Sequence, residues 1–459
     1  MKTVLIANRG EIACRVIEAC RKLNLRSVAV CSEIEENAKH SQMADEVVVI
    51  GPASARKSYL DGAAVLRAAR ETGADAIHPG YGFLSENADF ARDVEEAGLA
   101  WLGPRSETIA KMGDKAQARR AAIAVGVPVL PGSAPLLPEQ GDPPASLAED
   151  IGFPLLVKAT AGGGGIGMRR IDSLDDLAGA VRTAQAHAER TFGDATVYLE
   201  RFISRARHIE VQVFGDGNGG VAVFPERDCT TQRRYQKILE ESPAPGLPEE
   251  VRAAMLAAAA RLARSQTYHS AGTVEFVYDA DRKDWFFLEM NTRIQVEHRV
   301  TEMITDTDIV AMQMELALGT LGALPEAYAA IEGAWAIEAR VCAEAPQKGF
   351  LPQPGLLTRL DLPPSGPSLI VDCGLRAGDK VSAHYDSMIG KIVARGATRE
   401  AALERLADAL SRTRIEGVET NVGFLRLLLR SAAFRTASAH TRYVDENLTE
   451  LLKDMQTYA

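Results

Sequence analysis

Three features that the sequence lacks exclude whole classes of protein. No two of the six cysteines form a Cys-x-x-Cys pair, which favours free thiols in a reducing compartment. No apolar run approaches the roughly 18 residues that a membrane span requires. The start, "MKTVLIANRGE", reaches charged residues too early for a signal peptide. The sequence therefore predicts a soluble, cytoplasmic protein.

An excess of positive charge is also lacking. Lysine and arginine number 52 against 62 aspartates and glutamates, which gives a formal net charge of −10. This balance excludes a broad basic surface for nucleic acid and leaves room for a local phosphate site. A length of 459 residues exceeds one hydrophobic core and predicts about three domains.

The glycine-rich segment "KATAGGGGIGM" (158–168, the glycine flap) matches neither common phosphate motif. A P-loop closes with lysine and serine or threonine, but here Lys158 precedes the glycines. A dinucleotide fingerprint requires a third glycine where Arg170 stands. The flanks are strand-like and predict a hairpin whose bare N–H groups close over an anion. A flexible surface turn is the alternative.

The chain alternates strands and helices up to about residue 104, which predicts a parallel sheet in an α/β domain. A proline-rich connection (131–146) leads into the module of the glycine flap. Further on, the patterns predict hairpins at 209–224 and 272–298 and helices at 249–266 and in "REAALERLADALSR" and "VGFLRLLLR".

The second hairpin carries candidate metal ligands. Centring its turn on Arg282 places Glu275 opposite Glu289, with Cβ atoms about 5 Å apart on one face. Facing carboxylates repel each other unless a cation lies between them, and Asn291 offers a third oxygen. An all-oxygen set indicates Mg²⁺ that arrives with a nucleotide. A solvent-facing hairpin edge is the alternative.

Polar residues continue at every second position from Glu289 to Glu297. A straight strand would separate these two residues by about 26 Å, so we expect a bend soon after Asn291. The bend would gather a guanidinium, an amide and a carboxylate in one pocket. Arg293 suits a planar oxyanion and Glu297 a general base. The alternative is a solvated strand end.

Seven segments stand in order over about residues 1–445: "IANRGEIA", "IHPGYGFLSEN", "MGDK", "RHIEVQV", "ERDCTTQRR", "EMNTRIQVEH" and "YDSMIGK". Together they resemble the biotin carboxylases of the ATP-grasp superfamily. The resemblance implies a Rossmann-like N-terminal domain (1–112), an ATP-grasp domain (113–330) with a mobile lid module (131–204), and a C-terminal domain (331–446). The implied reaction is ATP-dependent carboxylation of biotin by bicarbonate through carboxyphosphate, with Mg²⁺ or Mn²⁺ as the metal.

The resemblance also implies a role for individual residues. ATP contacts are implied for Lys115, Lys158, Gly164, Gly165, Glu200, Arg201, Phe202, Ile203, His208, Tyr235, Glu275 and Glu289. The implied metal ligands are Glu275, Glu289 and Asn291. Bicarbonate and biotin contacts are implied for Lys237, Arg293, Gln295, Val296 and Arg340, with Glu297 as the base. Tyr81 and Glu86 either contact the site directly or only shape their loop.

Several residues depart from the family pattern. Ala161 and Ile166 replace a glycine and an arginine of the lid, Tyr235 a histidine, Arg299 a proline, and Ala345 an acid. The lid is thereby similar to that of urea carboxylase, and the final carboxyl acceptor stays open between acetyl-CoA, another acyl-CoA, urea and others.

The resemblance implies a biotin carboxyl carrier protein and carboxyltransferase subunits as partners, as in an acetyl-CoA carboxylase complex of fatty acid biosynthesis, and a homodimer. Biotin is expected on the separate carrier, because Gln313 in "AMQMELA" occupies the place of the modified lysine and the tail after Arg442 is short. Two alternatives are a carboxylate–amine ligase and a catalytically silent ATP-binding subunit. Bicarbonate-dependent ATP cleavage separates all three.

Overall fold

The computed structural model describes residues 1–160 and 168–457, and the chain divides into two compact units. The first comprises residues 1–127, 207–276 and 289–459, and the second comprises residues 128–206 and 277–288. The glycines of the glycine flap lie outside the described residues.

The first unit begins with a five-stranded parallel sheet in the order β3-β2-β1-β4-β5. Its elements are β1 (Thr3–Ile6), α1 (Gly10–Lys22), β2 (Arg26–Ser32), α2 (Lys39–Met43), β3 (Glu46–Gly51), α3 (Gly62–Glu71), β4 (Ala76–His78), α4 (Ala88–Glu96), β5 (Ala100–Trp101) and α5 (Ser106–Gly113). Val4 and Ile6 of β1 pack in one apolar cluster and Leu5 in another, so both faces of the sheet are covered. The predicted parallel sheet is confirmed.

Asp114 caps the N-terminus of helix α6 (Lys115–Ala124), since its carboxylate accepts a hydrogen bond from the backbone N–H of Gln117 at 2.8 Å. The second unit then contains α7 (Ala145–Ile151), β6 (Leu155–Ala159), β7 (Arg169–Ile171), α8 (Leu174–Phe192) and β8 (Val197–Arg201). Its strands form an antiparallel sheet in the order β7-β6-β8, over a core shared with α7 and α8. The predicted strands on both sides of the glycine flap are therefore confirmed.

A nine-stranded sheet accounts for most of the rest of the first unit, and those of its residues within 277–288 are assigned to the second unit. Its strands lie in the order β14-β13-β9-β11-β12-β15-β22-β20, with β10 paired to β9. The elements of this region are β9 (Ala206–Asp216), β10 (Val221–Val223), β11 (Arg227–Arg233), β12 (Gln236–Ser242), α9 (Glu249–Ser265), β13 (His269–Asp279), β14 (Asp284–Asn291), α10 (His298–Thr305), α11 (Ile309–Leu318), β15 (Trp335–Cys342), β16 (Glu344–Ala345), β17 (Leu351–Pro352), β18 (Gly355–Leu356), β19 (Arg359–Asp361), β20 (Leu369–Cys373), β21 (Lys380–Val381) and β22 (Met388–Gly396). Both predicted hairpins are present, as β9–β10 and β13–β14.

The C-terminal part packs four helices and one short strand near β15 and β22. They are α12 (Arg399–Arg412), β23 (Arg414–Glu416), α13 (Val422–Arg430), α14 (Ala432–Arg435) and α15 (Tyr443–Thr457). Leucines of α12 and α13 share one apolar cluster with Ile337 and Ile392 of the sheet. Among the described residues, no helix is long and apolar enough to cross a membrane.

Candidate active site

Neighbouring strands of the large sheet bring the candidate residues together. His208 and Glu210 project from the same face of β9, two positions apart, while Lys237 lies on β12 and Glu275 on β13. Strand β14 ends at Asn291, and α10 begins only at His298. The predicted bend after Asn291 is confirmed.

Lys237 lies at the centre of three carboxylates, and we call these four residues the Lys237 cluster. Its Nζ donates to Glu210 Oε2 at 2.6 Å, to Glu275 Oε1 at 2.9 Å and to Glu297 Oε1 at 2.7 Å. Burial favours the neutral amine, but the three carboxylates outweigh it and raise the pKa of Lys237 well above its usual value. Lys237 is therefore a fixed positive charge.

Glu275 accepts from several sides. Its Oε1 also accepts from Asn291 Nδ2 and Gln295 Nε2, both at 2.8 Å, and its Oε2 lies 3.0 Å from His208 Nε2. Burial opposes the ionised form, but Lys237 and His208 overcome it and lower the pKa of Glu275 well below its usual value. For His208, burial lowers the pKa and the charge of Glu275 raises it, with a net value of about 9.

Glu297 lies between two cations and is only 2% exposed. Its Oε1 accepts from Lys237, and its Oε2 accepts from a terminal nitrogen of Arg340 at 2.8 Å. Burial raises the pKa of Glu297, but Lys237 and Arg340 lower it below the ordinary value. Arg340 in turn donates through Nε to Glu240 at 2.6 Å. An ionised, oriented carboxylate of this kind can act as a general base.

Two supporting residues were not among the sequence-predicted site residues. Arg227 is fully buried and donates to Glu210 Oε1 at 2.6 Å and to Gln295 Oε1 at 2.6 Å. Its remaining N–H groups reach Gln212, Thr301 and Thr273 at 2.9, 3.0 and 3.1 Å. Arg227 thus locks both Glu210 and Gln295. The signal for Glu210 was its position two residues after His208 on a strand.

Arg293 is held by the loop that follows β4. Its Nε donates to Glu86 Oε2 at 2.9 Å, and the backbone N–H of Thr292 donates to Glu86 Oε1 at 3.1 Å. A terminal nitrogen of Arg293 also donates to Asn291 Oδ1 at 3.0 Å. Glu86 therefore contacts the site segment directly, whereas Tyr81 donates its hydroxyl proton to Glu11.

The chemistry of Glu275, Glu289 and Asn291 fits a divalent metal. Burial raises the pKa of Glu289, and the nearby negative charge of Glu275 raises it further. A cation beside the two carboxylates would remove that repulsion, and oxygen donors are those that Mg²⁺ prefers. The pairing of Glu275 with Glu289 that the hairpin pattern predicts stays a prediction.

The other residues predicted to contact ATP are divided between the two units. Lys115 is exposed at the start of α6 in the first unit, and its positive charge acts to lower the pKa of Glu289. Tyr235 is 65% exposed at the tip between β11 and β12, where its φ of 66° is left-handed.

In the second unit, Lys158 pairs with Glu200, and Arg201 donates to the carbonyl of Ile151 at 2.8 Å. Ile203 is buried. Phe202 follows directly after β8. Gly164, Gly165 and the departures Ala161 and Ile166 lie outside the described residues.

Arg299 and Ala345 are two of the departures in the first unit, and their surroundings are clear. Arg299 lies in the first turn of α10 and donates to both oxygens of Asp372 at 2.7 and 2.9 Å, and to Glu302 at 3.0 Å. Ala345 is fully buried on β16. Arg299 therefore introduces an ion pair where a proline would offer none.

Three family models match successive parts of the chain. They are "Biotin carboxylase, N-terminal domain" over residues 1–109, "Carbamoyl-phosphate synthase L chain, ATP binding domain" over 114–324, and "Biotin carboxylase C-terminal domain" over 338–446.

Curated relatives and solved structures agree with these matches. The chain is 45% identical to biotin carboxylase 1 of Bacillus subtilis over 445 residues, which cover 97% of this chain and 98% of the relative. It is 46% identical to the mitochondrial methylcrotonoyl-CoA carboxylase subunit alpha of Arabidopsis thaliana, of which it spans 62%. A crystal structure of the biotin carboxylase domain dimer of the Hydrogenobacter thermophilus 2-oxoglutarate carboxylase, in complex with MgADP, ADP and bicarbonate, matches with a TM-score of 0.87 at 40% identity and covers 98% of both chains.

Proposed function

The chain belongs to the biotin carboxylase family, and we propose that it carboxylates biotin at the Lys237 cluster and the adjoining residues Arg293, Gln295 and Arg340. The reaction is an ATP-dependent ligation that forms a C–N bond from bicarbonate and biotin. The observation that carries the assignment of residues is the position of Glu297, a buried carboxylate held between Lys237 and Arg340.

The first stage activates bicarbonate. Arg293 and Gln295 bind the anion together with the backbone at Val296, and Glu297 removes its proton. The oxyanion attacks the γ-phosphate of ATP and displaces ADP to form carboxyphosphate, while Lys237 stabilises the charge that develops. The pKa of Glu297 is lowered chiefly by Lys237, so the base is already ionised at neutral pH.

The second stage transfers the carboxyl group. Carboxyphosphate breaks down to CO₂ and phosphate, and the phosphate removes the proton from N1′ of biotin. N1′ of the resulting enolate then attacks CO₂, which forms the C–N bond of carboxybiotin. Arg340 stabilises the enolate, since its guanidinium is already fixed by Glu240 and Glu297. Exclusion of water protects the intermediate, and we assign that role to the glycine flap within the lid module 131–204.

Glu275, Glu289 and Asn291 are the residues that would hold the metal that accompanies ATP. When bound, such an ion supplies positive charge that neutralises the phosphate oxygens. Lys115, Lys158, His208 and the segment 200–203 are proposed to bind the nucleotide, and Tyr235 supplies an aromatic ring at its edge. We propose domain limits of 1–112, 113–330 and 331–446.

Bicarbonate-dependent ATP cleavage tests this function. We expect purified protein to release phosphate from ATP only when bicarbonate is supplied with Mg²⁺, and to release it faster when biotin is added. A carboxylate–amine ligase would require an amine and ignore biotin. A silent ATP-binding subunit would bind ATP and release no phosphate above background under any of these conditions.

We also propose the carboxyl acceptor, the protein partners and the oligomeric state. Relatives include an isolated biotin carboxylase and a methylcrotonoyl-CoA carboxylase subunit, so acetyl-CoA, with a role in fatty acid biosynthesis, is one acceptor among several. We propose a separate biotin carrier, a carboxyltransferase, a cytoplasmic location and a homodimer like that of the 2-oxoglutarate carboxylase domain. Co-purification identifies the first two, and analytical ultracentrifugation measures the last.

A further inference from the structure

The segment "YDSMIGK" (385–391) ends in a lysine that the reaction above does not use. Lys391 lies on β22, and its side chain is 0% exposed. Its Nζ donates a hydrogen bond to the backbone carbonyl of Val296. Val296 directly precedes Glu297, the proposed base. Burying an ammonium group costs free energy unless the group is paired with opposite charge. The position of Lys391 beside the Val296 carbonyl therefore requires compensating groups nearby.

Carboxylates around Lys391 compensate its charge. Nζ lies 3.6 Å from Glu11 Oε1 and 3.8 Å from Asp372 Oδ2. Asp372 itself accepts hydrogen bonds at both carboxylate oxygens from Arg299, which lies two residues after Glu297. The short stretch from Val296 to Arg299 is therefore fixed on both sides of the base, by Lys391 at a carbonyl and by Asp372 at a guanidinium.

The strand register explains why these groups meet. Arg340 on β15 lies opposite Lys391 on β22, and Lys391 lies opposite Asp372 on β20. Directly opposed residues of antiparallel strands project from the same face of the sheet. One row of the sheet therefore holds Glu297 in two ways: Arg340 contacts its carboxylate, and Lys391 contacts the peptide bond before it.

We propose that Lys391 is a positioning residue for the bicarbonate step. It anchors the Val296–Glu297 peptide so that the carboxylate of Glu297 stays between Lys237 and Arg340. Asp372 and Arg299 extend this anchor at the start of α10. The inference rests on the proposed function, in which Glu297 is the base, and it concerns the placement of that base and not the binding of ATP.

The test replaces Lys391 and a matched cation. Lys391→Met keeps the length of the side chain and removes the donor. Arg395→Met is the control, because Arg395 lies on the same strand and donates to the carbonyl of Met303 at 3.1 Å, near the other end of α10. We expect Lys391→Met to lower kcat/KM for bicarbonate by about tenfold to a hundredfold, because small misplacement of a reacting group has effects of that size. The KM for ATP should stay within about twofold in both variants.

Rescue separates positioning from a general loss of stability. Lys391→Arg restores a donor and should recover part of the bicarbonate kcat/KM, while Arg395→Met should leave that value unchanged even if its melting temperature falls. A folded Lys391→Met protein with unchanged bicarbonate kinetics would overturn the inference. An equal loss in Arg395→Met, or equal losses for ATP and bicarbonate, would also overturn it.

A second variant covers the case in which Lys391→Met does not fold. Asp372→Asn leaves Lys391 in place and weakens its anchor, so the kcat/KM for bicarbonate should fall by about twofold to fivefold with the KM for ATP unaffected. An unchanged kcat/KM for bicarbonate in Asp372→Asn then counts against the inference. Failure of the proposed function has a different signature, since the wild-type protein itself would show no bicarbonate-dependent ATP cleavage.

Discussion

Lys237 can neutralise only one of the three carboxylates that it contacts, so the remaining charge of the site depends on its neighbours. Arg227 pairs with Glu210, Arg340 with Glu297, and His208 with Glu275. Each carboxylate thus has a second cationic partner besides Lys237. Removing one member leaves a buried charge uncompensated, which is more costly than the pair itself is favourable. Neutral, isosteric substitutions are therefore the informative ones.

Glu297→Gln should abolish bicarbonate-dependent ATP cleavage, because an amide keeps the shape of the side chain but cannot take the proton. The loss should appear in kcat, and the affinity for MgATP should stay within about threefold since the base does not touch the nucleotide. Phosphate release and calorimetric ATP binding measure the two effects. Turnover like that of the wild type would remove Glu297 from this role.

His78 should make folding sensitive to acid. It is fully buried, and burial lowers its pKa to about 4 from 6.5. Nδ1 accepts from the backbone N–H of Gly80 at 3.0 Å, and Nε2 lies 3.2 Å from Gln313 Oε1, which places the single ring proton on Nε2. Between pH 6.5 and about 4 the unfolded chain binds a proton that the folded chain does not, so stability falls as pH falls.

Denaturant unfolding at several pH values measures this dependence. The contribution of His78 should approach about 1.4 kcal/mol per pH unit below the unfolded pKa. His78→Asn, which keeps an acceptor for Gly80, should lessen the acid dependence of the unfolding free energy. His384→Gln is the control, because His384 is exposed. Equal acid dependence in wild type and His78→Asn would contradict the expectation.

The hairpin β13–β14 supplies all three proposed metal ligands. Glu289→Gln should weaken productive MgATP binding, since Glu275 would lose the carboxylate with which it shares the cation. Raising the Mg²⁺ concentration should restore part of the activity, because the site is weakened and not removed. The measurement is the Mg²⁺ concentration that gives half-maximal phosphate release.

Asp281→Asn is the matched control for the hairpin. Asp281 is an exposed acid in the turn between β13 and β14, so its neutralisation changes the charge of the same hairpin away from the ligands. We expect its Mg²⁺ dependence to equal that of the wild type. If Glu289→Gln showed the same Mg²⁺ dependence as Asp281→Asn, the assignment of Glu289 as a ligand would be wrong.

Residues 1–459 are expected to carry no biotin and to act on a separate carrier protein. Gln313 occupies the place of the biotinylated lysine, and it is buried in α11, where its Nε2 donates to Leu102 O and Ser270 Oγ, both at 3.1 Å. A labelled avidin should give no signal on the protein, even after expression beside an active biotin ligase. A biotinylated lysine found by mass spectrometry in this range would refute the prediction.

The carrier should also matter for rate. Free biotin should support only slow turnover, because it lacks the binding energy that a docked carrier contributes to orientation. Adding the cognate biotinylated carrier should raise kcat/KM by about a hundredfold or more. The same carrier without biotin is the control and should have no effect on ATP cleavage. If free biotin gave the same kcat/KM as the biotinylated carrier, docking of the carrier would contribute nothing.

The sequence by itself determined the local structure and much of the chemistry. Alternating apolar residues and turn residues predicted the hairpin that carries Glu275 and Glu289, because these signals act over a few residues. The spacing of polar residues from Glu289 to Glu297 required the bend that the structure contains after Asn291. Motif resemblance added His208, Lys237 and Arg340, which no local pattern would have joined to the hairpin.

Only the tertiary structure decided which residues far apart in the sequence form hydrogen bonds and ion pairs with each other. Arg227 meets Gln295 across 68 residues, Glu86 meets Arg293 across 207, and Lys391 meets Val296 across 95. Such contacts depend on strand order and register, and a shift of one residue would turn each side chain to the opposite face of the sheet. For that reason the partners of the predicted site residues, and the anchor behind Glu297, could not be read from the sequence.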